Sequence, residues 1–300
     1  MILKIAWRNI WRNQKRTLIT TLSISGALFL IILMRSMQFG FYDNIINTIV
    51  QSYSGYVQVH ANGYWDKQSV NNSMEVDKKL LNEINSIDGI NNIAKRLQTF
   101  SLVSKGEKSK GAIINGIEVE KEQLITDWDK KIIEGSSSFK KSDQLILSKG
   151  IAEYFNVEIG DTLVLFGQGY QGMMAAGKYV AEGIIDLANP KLNEMAIFMD
   201  IKSAQEYISS ENIATHLIID KEQYYDEEKI AKDIANTISN DYEVMIWKEI
   251  LPELDQMITA DNAGGLIMAF ILYVVVCFGM FGTVLMMTEE RMYEFGVLLS

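Results

Sequence analysis

The chain is 300 residues long, 48% hydrophobic and 22% charged, a composition that excludes a disordered polymer. A single cysteine, Cys277, excludes an intramolecular disulfide scaffold, and two histidines, His60 and His216, exclude a zinc finger built from Cys and His. A formal net charge of −10 excludes a surface that grips nucleic acid along its whole length, which needs concentrated Lys and Arg.

Residues 1–16, MILKIAWRNIWRNQKR, project as an amphipathic helix. Leu3, Ala6, Trp7 and Ile10 share one face with Trp11 at its border, while Lys4, Arg8, Arg12 and Lys15 share the other. That division suits a helix lying in a membrane interface, with Trp7, Arg8, Trp11, Arg12 and Arg16 at headgroup level and lipid as its partner. Residues 17–41 follow as a first transmembrane helix, because Leu18–Met34 holds no ionisable residue over a length that approaches a bilayer core. A cleaved signal peptide is the competing reading, but Arg35-Ser36-Met37-Gln38-Phe39 offers no small-x-small cleavage pattern. The cations that precede this span predict a cytoplasmic amino terminus. Arg35 is expected to extend its guanidinium to the outer headgroups. Apolar residues at Phe39, Ile46, Ile49 and Val50 predict that the helix continues toward Ser54-Gly55.

Residues 42–261 then form an acidic extracytoplasmic segment without cysteine, which rests on its own core. Its pattern predicts strands at Tyr56–His60, Ile93–Val103, Gly111–Ile117, Thr162–Phe166, Tyr179–Asp186, Met195–Met199, His216–Ile219 and Glu243–Trp247. Helices are predicted at Val76–Ile87, Lys149–Phe155, Ile201–Ser209 and Asp226–Ser239. The fold class is therefore a membrane protein with α-helical transmembrane segments and a large mixed α/β extracytoplasmic domain. Two subdomains are expected, with their boundary at residues 134–143.

Two phosphate-loop patterns overlap at Gly167-Gln-Gly169-Tyr-Gln-Gly172 and Gly172-Met-Met-Ala-Ala-Gly177-Lys178. The first lacks a following helix to present its amino terminus to a phosphate, and in the second Tyr179 stands where Ser or Thr would hold magnesium. A glycine-rich hairpin is the reading for both. No H-E-x-x-H, G-x-S-x-G or C-x-x-C occurs, so no catalytic, cofactor or metal site is assigned, and both histidines are given structural roles in strands.

Residues 262–288, without a charge, form the second transmembrane helix, and 289–300 a short cytoplasmic coupling helix. Arg291 and Glu294 offer charges to a partner there, and Gly296 permits a sharp exit.

The ends and middle together resemble the permease subunits of the MacB/FtsX-type ABC transporter superfamily. The resemblance lies in LKIAWRNIWRNQKRT before the first span, the large external α/β segment, and Glu289-Glu290-Arg291-Met292-Tyr293-Glu294-Phe295-Gly296-Val297-Leu298 after the second. Gln144–Gly169 and Val180–Ile208 are similar to the lipoprotein-releasing, LolC/LolE-like branch. The resemblance implies a non-catalytic permease of the bacterial inner membrane. It also implies a separate cytoplasmic ABC ATPase that docks on Glu290, Arg291, Glu294, Phe295 and Gly296, and a second permease copy or paralogue. A lipoprotein substrate and a periplasmic chaperone complete the implied partners. Such permeases carry four spans, which implies two further spans from a longer chain or a second polypeptide. Export of peptides or antibiotics is the alternative within the superfamily; a two-span signalling or interaction protein is the alternative outside it.

Overall fold

The computed structural model describes residues 14–222 and 224–299, which form two compact units, one from the terminal segments up to Asn44 and from Glu253, the other from Ile45–Pro252. The first helix, α1 (Gln14–Ile46), runs 33 residues, about 50 Å, without a break. Leu18, Leu28, Leu30 and Met34 point outward on different sides of it, as expected where lipid rather than protein surrounds a helix. It passes directly into a π-helix at Asn47–Ser54, which ends at Gly55 in the left-handed region with φ 68°, its N–H on the Val50 carbonyl at 2.8 Å. A Cβ at Gly55 would collide with Ile218, so both the angle and the space demand glycine.

The α/β unit follows in the order β1 (Val57–Ala61), β2 (Met74–Glu75), α2 (Lys78–Asn85), β3 (Ile90–Lys105), β4 (Lys108–Ile117), α3 (Val119–Thr126), β5 (Ile132–Gly135) and β6 (Gln144–Ser148). It continues through α4 (Lys149–Phe155), β7 (Thr162–Gln168), β8 (Met174–Ile185), β9 (Ala196–Asp200), α5 (Ile201–Tyr207) and β10 (Ile213–Ala214). β11 (His216–Lys221), α6 (Glu227–Thr237), β12 (Tyr242–Ile246) and α7 (Trp247–Ile250) complete it. Each expected strand and helix is present. The helices start later than periodicity alone suggests because Asp77 and Asp226 act as caps: Asp77 accepts from the Leu80 N–H at 2.8 Å and Asp226 from the Glu228 N–H at 2.8 Å. Residues 136–143 connect β5 to β6, and the expected boundary at 134–143 begins in the last two residues of β5.

Two sub-structures share the long strand β3. Its first half joins the antiparallel sheet β12-β1-β11-β3, whose one face carries Val57, Val59, Leu217, Ile219 and Ile93 against Leu80 and Ile84 of α2 and Ile230 and Ile234 of α6. Its second half belongs to a closed ring of pairings, β3-β4-β9-β6-β8-β7 and back to β3, a small mixed barrel. Alternation then sorts residues inward and outward. Along β7, Leu163 and Leu165 are fully buried inside, with Leu97, Ile114, Leu147 and Ile197 from other staves, while Val164 and Phe166 face out. Closing the ring leaves few free strand edges in this part of the unit.

After α7 the chain enters α8 (Pro252–Leu299), a single helix of 48 residues, about 72 Å long. Thr17–Val50 and Pro252–Met286 are each long and apolar enough to cross a membrane.

Candidate functional site

The candidate site is the buried polar cluster around Tyr53 of the π-helix, inside the α/β unit. The π-helix directs Tyr53 into that unit. Its hydroxyl donates to Asn115 Oδ1 at 3.0 Å, and its ring packs edge-on to Phe198, 6.5 Å between centroids. The Arg96 guanidinium lies over the Tyr53 ring, 4.6 Å from its centroid. Arg96 in turn pairs with Glu122 on α3 through both Nε and Nη2, and Thr126 Oγ1 donates to the same carboxylate at 3.2 Å. Arg96 and Glu122 are both almost wholly shielded from solvent, and Arg96 Nη1 meets no hydrogen-bond acceptor among the described residues. Burial pushes the Tyr53 hydroxyl up from its ordinary pKa and pushes Lys131, which feels Glu122 and Arg96, down to about 8.

This cluster continues as a row across the sheet. His60 on β1 is the register partner of His216 on β11, which is the register partner of Arg96 on β3, so all three side chains project from the same face. The two imidazoles lie 5.6 Å apart, and the His60 ring stacks on Tyr64 at 5.3 Å with Trp65 beside it. Thr215 Oγ1 lies 3.0 Å from His216 Nδ1. Burial drives His60 down to about 4 and His216 well below the ordinary histidine range, so both are neutral at pH 7. The return segment is anchored alongside: the Trp247 N–H donates to the Tyr56 carbonyl at 2.9 Å and its indole to Glu227 at 3.1 Å, while α7 contacts the π-helix.

Sequence periodicity places both histidines in strands and leaves Tyr53, Arg96 and Glu122 unmarked; an apolar-polar alternation such as Val57-Gln58-Val59-His60 reads as a half-solvated strand.

Of the residues expected to carry function, Trp7, Arg8, Trp11 and Arg12 lie outside the described residues. For Arg16, Glu290, Arg291, Glu294 and Phe295 the structure describes a helical backbone alone. Gly296 lies within α8, exposed and with open space where a Cβ would be, and the helix continues through it rather than turning sharply. Arg35 departs from expectation: its guanidinium turns to Gln38 and Asn262. The glycine-rich segment is the β7-β8 hairpin, its turn closed by the Gly169 N–H on the Met173 carbonyl at 2.7 Å, and β8 rather than a helix follows. On the barrel exterior, Phe100, Leu102, Phe166 and Met174 stay exposed beside a groove of about 660 Å³.

No curated protein matches the chain. Among solved structures it is similar to the extracellular domain of the noncanonic ABC-type transporter YknZ from Gram-positive bacteria, with 12% identity and TM-score 0.44 over 63% of this chain and 98% of that one. It is also similar to the periplasmic region of MacB from Actinobacillus actinomycetemcomitans, with 13% identity and TM-score 0.46 over 70% and 95%. Residues 17–237, well over half of the chain, match the model of the MacB-like periplasmic core domain, and the chain belongs to that family.

Proposed function

We propose that this chain is the membrane subunit of an ABC transporter that releases lipoproteins from the bacterial inner membrane, driven by a separate cytoplasmic ATPase. The observation that carries the reading is the family match, which runs from the first apolar helix through the α/β unit and supports a permease-type transporter subunit. The basic residues ahead of α1 orient the amino terminus to the cytoplasm and the α/β unit to the opposite side. ATPase contact is assigned to Glu290, Arg291, Glu294, Phe295 and Gly296, and interfacial anchoring to Trp7, Arg8, Trp11, Arg12 and Arg16. A second copy or paralogue stands beside the chain, and a periplasmic chaperone accepts the cargo. The close packing around Tyr53 fits a subunit that transmits motion, because packed interiors transmit displacement rather than absorb it.

The lipoprotein reading rests on the resemblance of Gln144–Gly169 and Val180–Ile208, and the exposed Phe100, Leu102, Phe166 and Met174 supply apolar surface suited to an acylated cargo. Depleting the chain from the cell that makes it is expected to leave acylated lipoproteins in the inner membrane, measured by membrane fractionation and blotting. Normal lipoprotein sorting with loss of resistance to an exported peptide or antibiotic would replace lipoprotein by that cargo.

A further inference from the structure

Both long helices carry polar residues at the ends of their apolar runs from which the chain continues into the α/β unit. On α1, Arg35, Gln38 and Tyr42 follow at spacings of three and four and so lie on one face. On α8, Asp261, Asn262 and Gly265 lie at the same level as those three, since they meet side chain to side chain. Arg35 Nη2 donates to Asn262 Oδ1 at 2.7 Å and its Nη1 to Gln38 Oε1 at 2.6 Å. Gln38 Nε2 donates to Asp261 Oδ2 at 2.9 Å and to its carbonyl at 3.0 Å, and the Tyr42 hydroxyl donates to the same Oδ2 at 2.6 Å. The guanidinium also lies over the Phe39 ring, 4.5 Å from its centroid. Gly265 completes the arrangement, because a Cβ there would sit 2.7 Å from Gln38 Oε1 and 3.0 Å from Arg35 Nη1.

We propose that these residues are a polar pin that fixes the separation and register of α1 and α8, with Arg35 and Gly265 as its positioning residues. The network is continuous across the two helices, so no single bond opens without stranding a neighbour. Gln38 and the Asp261 carboxylate each take part in more than one of these bonds, so the bonds support one another and favour the closed state. Arginine is required in place of lysine, since only the guanidinium fork reaches two acceptors in fixed directions. Glycine is required because the guanidinium and the Gln38 amide occupy the volume of any larger side chain. The pin makes the two helices a single body at this level, and it holds independently of which partner binds their far ends.

The test is the distance between spin labels at Leu33→Cys and Met268→Cys, both exposed positions, in the Cys277→Ser chain in lipid nanodiscs. The pin predicts one narrow distribution for the parent chain. Gly265→Leu is expected to lengthen the distance by about 2 Å, within the range of ordinary interhelical separations, and Arg35→Lys and Asn262→Leu each to broaden it. Lysine reaches headgroups as well as arginine does, so Arg35→Lys separates the pin from simple interfacial anchoring even if Arg35→Ala fails to insert. Distributions for Arg35→Lys, Asn262→Leu and Gly265→Leu that coincide with the parent would overturn the proposal.

Discussion

Replacing Glu122 by alanine is expected to destabilise the α/β unit by about 3–5 kcal/mol, because it leaves the Arg96 charge buried without its partner. The size follows from location. Lys79 and Glu83 also form an ion pair, but the Lys79 side chain is 80% exposed, and such a helical surface pair is worth about 0.3–0.5 kcal/mol. Arg96 has no water to fall back on, and Tyr53 above it offers a ring face rather than a carboxylate. Removing both charges in Arg96→Met/Glu122→Leu is expected to recover most of the loss, since apolar groups of similar volume commonly replace a buried pair without cost. Urea unfolding of the detergent-solubilised chain, followed by fluorescence of the buried Trp128 and Trp247, measures both. A loss below about 1 kcal/mol for Glu122→Ala, or a double variant no more stable than the single one, would show that the pair does not hold the cluster around Tyr53.

Lowering the pH from 7 to 5 is expected to weaken the same unit by about 2 kcal/mol through His60 alone, with His216 adding loss of the same sign. The folded chain holds His60 neutral down to about 4, whereas the unfolded chain binds a proton near the ordinary 6.5. Between those values the unfolded state takes up protons that the fold refuses. Stability is therefore fully present above about 6.5 and lost progressively as the pH falls toward 4. Protonation would place new positive charges in a row that already holds Arg96; Glu243 on β12 is the carboxylate in register with His60, and burial outweighs it there. His60→Phe/His216→Phe is expected to flatten the pH dependence of the urea midpoint. A midpoint equal at pH 7 and 5 in the parent chain, or a slope unchanged in the double variant, would contradict this account.

Local composition made the two long helices and most strands legible, because a bilayer or a sheet face imposes a requirement on consecutive residues. Leu18–Met34 and the charge-free run after Asn262 need no partner to be recognised, and Thr162–Phe166 alternates as a barrel stave must. The cluster around Tyr53 was hidden for the opposite reason. Gln58, His60, His216 and Arg96 occupy the face that alternation assigns to water, yet the π-helix and α3 cover it. Whether an alternating strand has a solvated face depends on elements distant in sequence, and Tyr53 reaches Asn115 across 62 positions. The pin was hidden likewise. Arg35 ends an apolar run and reads as an interfacial arginine until Asn262, 227 residues away, is brought beside it. Glycine spacing gave the opposite lesson: two phosphate-loop patterns collapse into one hairpin because β8 follows where a helix would be needed.

The central claim is that this chain transmits the work of a separate ATPase, and purification of the native chain from its own membranes in mild detergent, with mass spectrometry of what accompanies it, tests that most directly. The account predicts an ABC ATPase subunit with the parent chain, lost when Glu294→Lys and Gly296→Trp are combined while the chain still reaches the membrane. Absence of any ATPase from the parent chain, under conditions that preserve other membrane complexes, would contradict it and leave a two-span interaction protein in its place.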